Sequence, residues 1–163
     1  MLMWCEWSKN SDDRVWECVL NLLNRAVFDT STLISTVLRP SSVPRQAFMS
    51  ALGSHTLFVS PETLGELEVV LLRAKFDAYA SPTERVAFFA RYKQETTLLT
   101  PDAQSEKMAE GACRDPKDCK FLALAMACKA GVLVSSDDDL LTLKHWQGTQ
   151  IVSPAAFLSR SVN

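Results

Sequence analysis

Paired cysteine motifs, histidines and long apolar runs are scarce or missing in this 163-residue sequence. Its two histidines and five cysteines include no Cys-x-x-Cys pair, so the spacings that build zinc sites are absent. We therefore expect the cysteines to be reduced, mainly buried thiols. No apolar run approaches the roughly 18 residues of a membrane helix, and Met1 to Asn10 lack the features of a secretion signal. A cytoplasmic protein without membrane association is expected.

An overall surplus of basic residues is also missing, because the formal net charge is −2. That balance is unusual for a protein that binds nucleic acid, whose partner is a polyanion. A local basic patch or a bound metal would have to substitute for it. Neither an RNP-like aromatic motif nor a zinc knuckle is visible.

What the sequence contains is an alternation of short apolar strands with amphipathic helices. Strands are predicted at 25–28, 56–59, 96–99, 132–134 and 150–152, and helices at 32–38, 45–52, 61–71, 82–94, 115–130, 139–143 and 154–158. This alternation predicts an α/β fold with a parallel sheet covered by helices on both faces. It starts at residue 25, so we assign 25–163 to one domain and 1–24 to an N-terminal extension with a helical pattern.

Capping residues suggest where individual helices begin and end. Ser60 followed by Pro61 predicts an N-cap and a first helical position, and Asp115 before Pro116 has the same pattern. Gly53 is predicted to end the second helix, and Gly131 the helix that starts after Asp115.

Acidic residues occur where a parallel sheet would bring them together. Asp29 and Asp137 each follow a predicted strand, Glu66 lies in the second turn of a helix, and Asp118 lies in the first turn of another. Because such sheets bind ligands beyond the carboxyl ends of their strands, these acids are predicted to meet at one rim. Asp115 and Asp139 are close enough in sequence to assist, the latter as a further metal ligand.

A carboxylate cluster of this kind repels itself unless a cation is bound. Oxygen ligands suit hard ions such as Mg²⁺ or Mn²⁺, which can activate water and polarise a phosphate. Each acid also has a purely structural interpretation. Asp115 fits an N-cap, Asp118 fits dipole complementation, Asp137 fits a solvated turn, and Glu66 fits an exposed helix surface. Asp29 is hardest to explain in this way, because a charge that ends a buried strand is costly without a partner.

Four segments in order resemble the motifs of PIN-domain nucleases. They are VFDTSTLIS (Val27 to Ser35), FVSPETLGELEVVLLRAKF (Phe58 to Phe76), CRDPKDCKFLALAMACKAGVLVSSDDDLL (Cys113 to Leu141) and IVSPAAFL (Ile151 to Leu158). The resemblance extends over about Arg25 to Arg160. It is greatest to the PIN-family toxins of bacterial toxin–antitoxin systems, which are related to VapC-type toxins.

This resemblance implies a three-layer α/β/α sandwich with a mostly parallel central sheet. It also implies an endoribonuclease that depends on Mg²⁺ or Mn²⁺, a cognate antitoxin partner, and a homodimer or higher homo-oligomer. The family's catalytic and metal-binding acids match Asp29, Glu66, Asp118 and Asp137, with Glu62 as a weaker alternative to Glu66. RNA as the substrate is implied by the resemblance alone.

Further residues are predicted around these acids. The supporting positions are Thr30, Ser31, Asp115 and Ser135. The candidate phosphate contacts are Arg39, Arg45, Lys117 and Lys120, each of which could instead be a solubilising surface charge. The family often has Asn where this chain has Ser31, a shorter hydrogen-bonding side chain, which affects fine positioning.

Two other functional classes compete with the nuclease. A phosphatase of the haloacid-dehalogenase type also has an Asp after its first strand, but it needs a second acid two residues later, where this chain has Ser31. A non-catalytic regulatory or binding protein could keep the fold and lose the chemistry. The presence of all four acids argues against that loss.

Overall fold

The computed structural model describes residues 17–21 and 23–160. Most of the predicted N-terminal extension therefore lies outside the described residues, while residues 17–21 are helical. The strands are β1 (Arg25–Phe28), β2 (Thr56–Val59), β3 (Thr96–Leu98), β4 (Val132–Val134), β5 (His145–Trp146) and β6 (Thr149–Val152). The helices are α1 (Thr30–Leu38), α2 (Val43–Ser54), α3 (Pro61–Leu71), α4 (Pro82–Glu95), α5 (Ala103–Ala109), α6 (Cys119–Ala127), α7 (Asp138–Leu143) and α8 (Pro154–Arg160).

The strands form one sheet in the order β3-β2-β1-β4-β6-β5. All neighbouring pairs are parallel except β5 with β6, which are antiparallel. The predicted mostly parallel sheet is thus confirmed. With β1 and β4 adjacent at its centre, the carboxyl ends of β1, β2 and β4 lie along one edge.

The central strands alternate their side chains between two hydrophobic cores. In β1, Ala26 and Phe28 pack with residues of α1, α2, α3, α4 and α8, whereas Val27 packs with residues of α5, α6 and α7. In β4, Val132 and Val134 face the first core and Leu133 faces the second. Period-two alternation with apolar residues on both faces is what a sheet buried between two helical layers requires. The three-layer α/β/α sandwich is confirmed.

Short elements and helix ends depart from the predictions. The sequence pattern missed α5 and the two-residue strand β5, which are too short for periodicity to detect. Asp115 begins a 3-10 turn (Pro116–Asp118) that leads into α6. Gly53 does not end α2, which continues to Ser54.

Gly131 has a role different from the predicted helix end, since α6 already ends at Ala127. A Cβ atom at Gly131 would lie 2.6 Å from the backbone oxygen of Leu23, so the close approach of these two backbone segments requires glycine. Cys113 and Cys128 are buried as expected, whereas Cys18 is exposed. None of the helices in the described residues is long and apolar enough to cross a membrane.

A buried arginine organises the segment between α3 and α4. Arg85 is only 1% exposed. Its guanidinium donates to the carbonyl oxygens of Leu71 and Arg73, and its Nε lies 3.1 Å from the carbonyl oxygen of Ala80. It also forms an ion pair with Asp77. These acceptors all belong to the segment 71–81, which Arg85 therefore fastens to the domain.

Replacing Arg85 should destabilise the fold strongly. Arg85→Met leaves several carbonyl oxygens without a donor, and we expect the free energy of unfolding to fall by about 3 kcal/mol or more. The measurement is urea denaturation followed by circular dichroism. The control is Arg91→Met on the same helix, whose exposed ion pair with Glu95 should contribute less than about 1 kcal/mol. Equal losses in the two variants would contradict this account of Arg85.

Candidate functional site

A cleft of about 330 Å³ opens at the edge of the sheet where the central strands end. The four predicted acids all line it: Asp29, Glu66, Asp118 and Asp137. Two of the predicted supporting residues, Thr30 and Ser31, line it as well. Acids that are up to 108 residues apart in sequence thus share one cavity, as the parallel topology predicted.

Asp29 is the most constrained of the four acids, because its side chain is 2% exposed at the end of β1. One carboxylate oxygen accepts from the backbone N–H of Thr32 at 2.8 Å, which makes Asp29 the N-cap of α1. The other accepts from the hydroxyls of Ser31 at 2.9 Å and Ser135 at 2.5 Å. Burial raises the pKa of the Asp29 carboxyl, and these hydrogen bonds oppose the rise.

Ser135 connects Asp29 to Asp137. It is fully buried after β4, and its hydroxyl also accepts from the backbone N–H of Asp137 at 2.9 Å. The Asp137 carboxylate in turn accepts from the backbone N–H groups of Asp139 and Leu140, so it is the N-cap of α7. A capping role and a place in the cleft therefore coexist in Asp137, as they do in Asp29.

The pKa of Asp118 is raised by its surroundings in the cleft. Asp118 ends the 3-10 turn before α6 and has no capping hydrogen bond from its side chain. Burial and the negative charges of Asp137, Asp115 and Asp29 raise the pKa of Asp118 to about 6, while Lys120 lowers it. Negative charge is therefore only partly compensated by the chain itself.

Glu66 is held by two partners from other elements. The Thr30 hydroxyl donates to one of its carboxylate oxygens at 2.8 Å, and the Lys120 ammonium lies 3.3 Å from the same oxygen. The Lys120 side chain is only 9% exposed, and it also donates to the carbonyl oxygen of Lys117. Lys120 was predicted as a phosphate contact, and it lies next to the predicted acids as an internal partner of Glu66.

The remaining predicted residues lie around the cleft or away from it. Asp115 caps the 3-10 turn by accepting from the backbone N–H of Lys117 at 2.9 Å, and Asp139 lies 3.8 Å from Arg114. Neither Asp115 nor Asp139 lines the cleft. Glu62 lines a different cavity. The cleft of the four acids is also not lined by Arg39, Arg45 or Lys117, which were predicted as phosphate contacts.

The donor set suits a hard cation, because only carboxylate and hydroxyl oxygens converge on this part of the cleft. The described residues contain no group of three or more His, Cys, Asp or Glu side chains already gathered closely enough to hold a metal ion. The acids thus share a cavity without forming a closed ligand cage. That openness is compatible with an ion that keeps several waters and takes further ligands from a substrate, as Mg²⁺ does.

Sequence reasoning missed the basic side of the cleft. Arg73, Lys75 and the ring of Phe76 line the same cleft as the four acids, and they lie in the turn after α3. Arg73 follows Glu66 by seven residues, yet Glu66 pairs with Lys120 and not with Arg73. The available signal was the run Arg-Ala-Lys-Phe at 73–76, directly after the helix that carries Glu66.

Comparison with known proteins assigns the family. A model described as "PIN domain" matches residues 25–139, which is more than half of the chain. The chain belongs to the PIN-domain family. Among curated proteins, the PIN domain is similar to the uncharacterized protein MJ1680 of Methanocaldococcus jannaschii, with 24% identity over 122 residues that cover 74% of this chain and 75% of that protein.

Solved structures support the PIN fold independently. The PIN domain resembles a chain of VapBC2 from Rickettsia felis bound to a DNA fragment from their promoter, with a TM-score of 0.58 and 12% identity over 79% of this chain and 98% of that one. It also resembles a chain of DNA-bound VapBC from Salmonella typhimurium, with a TM-score of 0.56 and 18% identity over 81% and 99%. At these identities the likeness establishes the fold.

Removal of the Ser135 hydroxyl should destabilise the protein through the cleft. Ser135→Ala leaves a buried carboxylate oxygen of Asp29 and the N–H of Asp137 short of one partner each, so we expect a loss of about 1 to 3 kcal/mol in the free energy of unfolding. Urea denaturation measures it. Ser159→Ala is the matched control, because its exposed hydroxyl bonds only to the carbonyl oxygen of Ala155 and its loss should stay within about 0.5 kcal/mol. A Ser135→Ala loss as small as the control's would refute the proposed bridge.

Proposed function

We propose that this PIN domain is an endoribonuclease that hydrolyses RNA phosphodiester bonds with Mg²⁺ or Mn²⁺, and that it is the toxin component of a toxin–antitoxin system. The observation that carries the proposal is the shared cleft of Asp29, Glu66, Asp118 and Asp137 at the carboxyl edge of a parallel sheet. The family membership of residues 25–139 supports it.

In this proposal Asp29, Glu66, Asp118 and Asp137 hold the ion, with Asp139 assisting from the first turn of α7. When bound, the ion lowers the pKa of a water ligand and polarises the phosphate. Thr32, Ser31 and Ser135 keep the Asp29 carboxylate in one orientation through three hydrogen bonds. A ligand that is already oriented in this way has less freedom to lose when the ion binds.

Water is the proposed attacking group. In the described part of the chain, no histidine or cysteine lines the cleft, so the side chains that commonly act as covalent nucleophiles or neutral-pH bases in phosphate chemistry are not at hand there. Glu66 is kept in place by Thr30 and Lys120. The hydroxyls of Thr30 and Ser31 orient carboxylates, since both donate to them.

Loss of one cleft carboxylate should abolish cleavage. We expect Asp29→Asn and Asp118→Asn to reduce the rate of RNA cleavage by about 100-fold or more, because several kcal/mol of transition-state stabilisation depend on the bound ion. The measurement is a gel assay on labelled RNA with Mn²⁺, and excess EDTA should stop the wild-type reaction. Asp102→Asn is the control, because Asp102 is an exposed N-cap of α5 and asparagine caps equally well.

The outcomes of this assay separate the candidate functions. Cleavage that persists in EDTA, or in Asp29→Asn, would contradict metal-dependent hydrolysis by these acids. Calorimetric binding of Mn²⁺ to a wild-type protein that cleaves no RNA would favour the non-catalytic alternative. Cleavage of DNA but not RNA would change the substrate class and leave the metal chemistry intact.

A cognate antitoxin, a homodimer or higher homo-oligomer, and a cytoplasmic location belong to the same proposal. The antitoxin is supported by the two solved structures of the same fold, whose names describe VapBC complexes. The oligomer and the location rest on the family resemblance. Exposed apolar side chains on α3 (Val69), directly after it (Leu72) and on α4 (Val86) offer contact area for a protein partner.

Expression in a bacterial host should arrest growth if the chain is a toxin. The arrest should disappear with Asp29→Asn, because it depends on RNA cleavage, and with co-expression of a cognate antitoxin. Colony counts after induction measure it. Arrest by both wild type and Asp29→Asn would show that toxicity does not arise from the proposed chemistry.

A further inference from the structure

The cleft has a basic side formed by Arg73 and Lys75. Both residues are exposed, and both line the same cavity as the four acids. Within residues 17–21 and 23–160, neither forms a salt bridge: the ion pairs there join Arg85 to Asp77, Arg91 to Glu95, Arg114 to Asp139 and Lys120 to Glu66. Their positive charges are therefore available to an external anion.

The turn that carries these cations is fixed although it is exposed. Arg85 donates to the carbonyl oxygens of Leu71 and Arg73 before the 3-10 turn Ala74–Phe76, and it pairs with Asp77 directly after that turn. The Lys75 ammonium lies 5.0 Å from the centre of the Phe76 ring, which itself lines the cleft. Position and orientation of the basic side are thus set from the interior of the domain.

Capping of α3 explains only part of this arrangement. The carbonyl oxygen of Leu71, at the end of α3, needs a donor, and Arg85 supplies it. Capping does not require Arg85 to reach Asp77 beyond the turn, nor does it require the turn to present an arginine and a lysine to the cleft. The other basic residues predicted from the sequence as phosphate contacts do not line the cleft.

A polyanionic substrate must approach four carboxylates, and the chain's net charge of −2 offers no general attraction. Cations that line the same cavity would offset that repulsion locally. We propose that Arg73 and Lys75 bind backbone phosphates of single-stranded RNA beside the bond that is cut, and that Arg85 is the positioning residue for both. This inference rests on the ribonuclease function proposed above.

The test is the salt dependence of cleavage by the full-length protein. Each phosphate contact on a single strand contributes about 0.7 to the slope of log affinity against log salt concentration. The double variant Arg73→Ala/Lys75→Ala should therefore lose about 1.4 from the slope of log kcat/KM, measured on a labelled single-stranded RNA. Its KM at fixed salt should rise about tenfold or more, with kcat changed by less than about threefold.

Two matched variants complete the design. Arg91→Ala/Lys93→Ala removes the same two charges from α4, outside the cleft, and should keep the wild-type slope. Arg73→Lys/Lys75→Arg keeps both charges and should also retain it. Arg85→Lys keeps the positive charge but loses the planar guanidinium with its several N–H donors, so it should lower the slope in the same direction as Arg73→Ala/Lys75→Ala. A circular dichroism spectrum verifies that this variant is folded.

The possible results differ for each claim. The phosphate contacts would be contradicted if Arg73→Ala/Lys75→Ala kept the wild-type slope, or if the α4 control lost as much slope. The proposed nuclease function would still hold in that case, provided that the wild-type protein cleaves RNA. A wild-type slope in folded Arg85→Lys would overturn the positioning role alone. A wild-type protein that cleaves no RNA in Mn²⁺ would overturn both this inference and the proposed function.

Discussion

The candidate site depends on the burial of one carboxylate. Asp29 ends the central strand β1 at 2% exposure, where an unpartnered charge would be costly. The fold offsets this cost with a backbone N–H of α1 and with hydroxyls from Ser31 and Ser135. Ser135 belongs to the end of the neighbouring strand and accepts from the N–H of Asp137. The same hydrogen bonds therefore start helix α1, join two strand ends and orient two of the acids.

The cleft is lined by both acidic and basic side chains, which suit a cation and a phosphate group respectively. Burial and three neighbouring aspartates raise the pKa of Asp118, because the ionised form would add to negative charge already nearby. Lys120 neutralises Glu66 within the domain. Arg73 and Lys75 line the same cavity and remain available, on a turn that the buried Arg85 holds. A site of mixed sign thus exists on a chain whose net charge is only −2.

Local signals sufficed for the main elements and for the acids. Short apolar runs with helical segments between them identified the parallel sheet, because strands buried on both faces are continuously apolar. Asp29 and Asp137 were found because each directly follows such a strand, and the order of motifs pointed to the PIN family, which the match over residues 25–139 confirms. Elements with little periodicity were missed, namely α5 and β5.

What the sequence alone determined was therefore the α/β class, five of the six strands in the sheet and the meeting of four acids at one edge. Only the tertiary structure decided which cations belong to the cleft. The predicted phosphate contacts Arg39, Arg45 and Lys117 do not line the cleft, whereas Arg73 and Lys75 do. No local sequence pattern distinguishes a basic residue that lines the cleft from one that lies elsewhere on the surface. We attribute the difference to Arg85, which contacts Asp77 eight residues before it and Leu71 14 residues before it and so sets the course of the turn. The path of this turn depends on how α3 and α4 pack in the folded domain, and a local sequence pattern does not predict that packing.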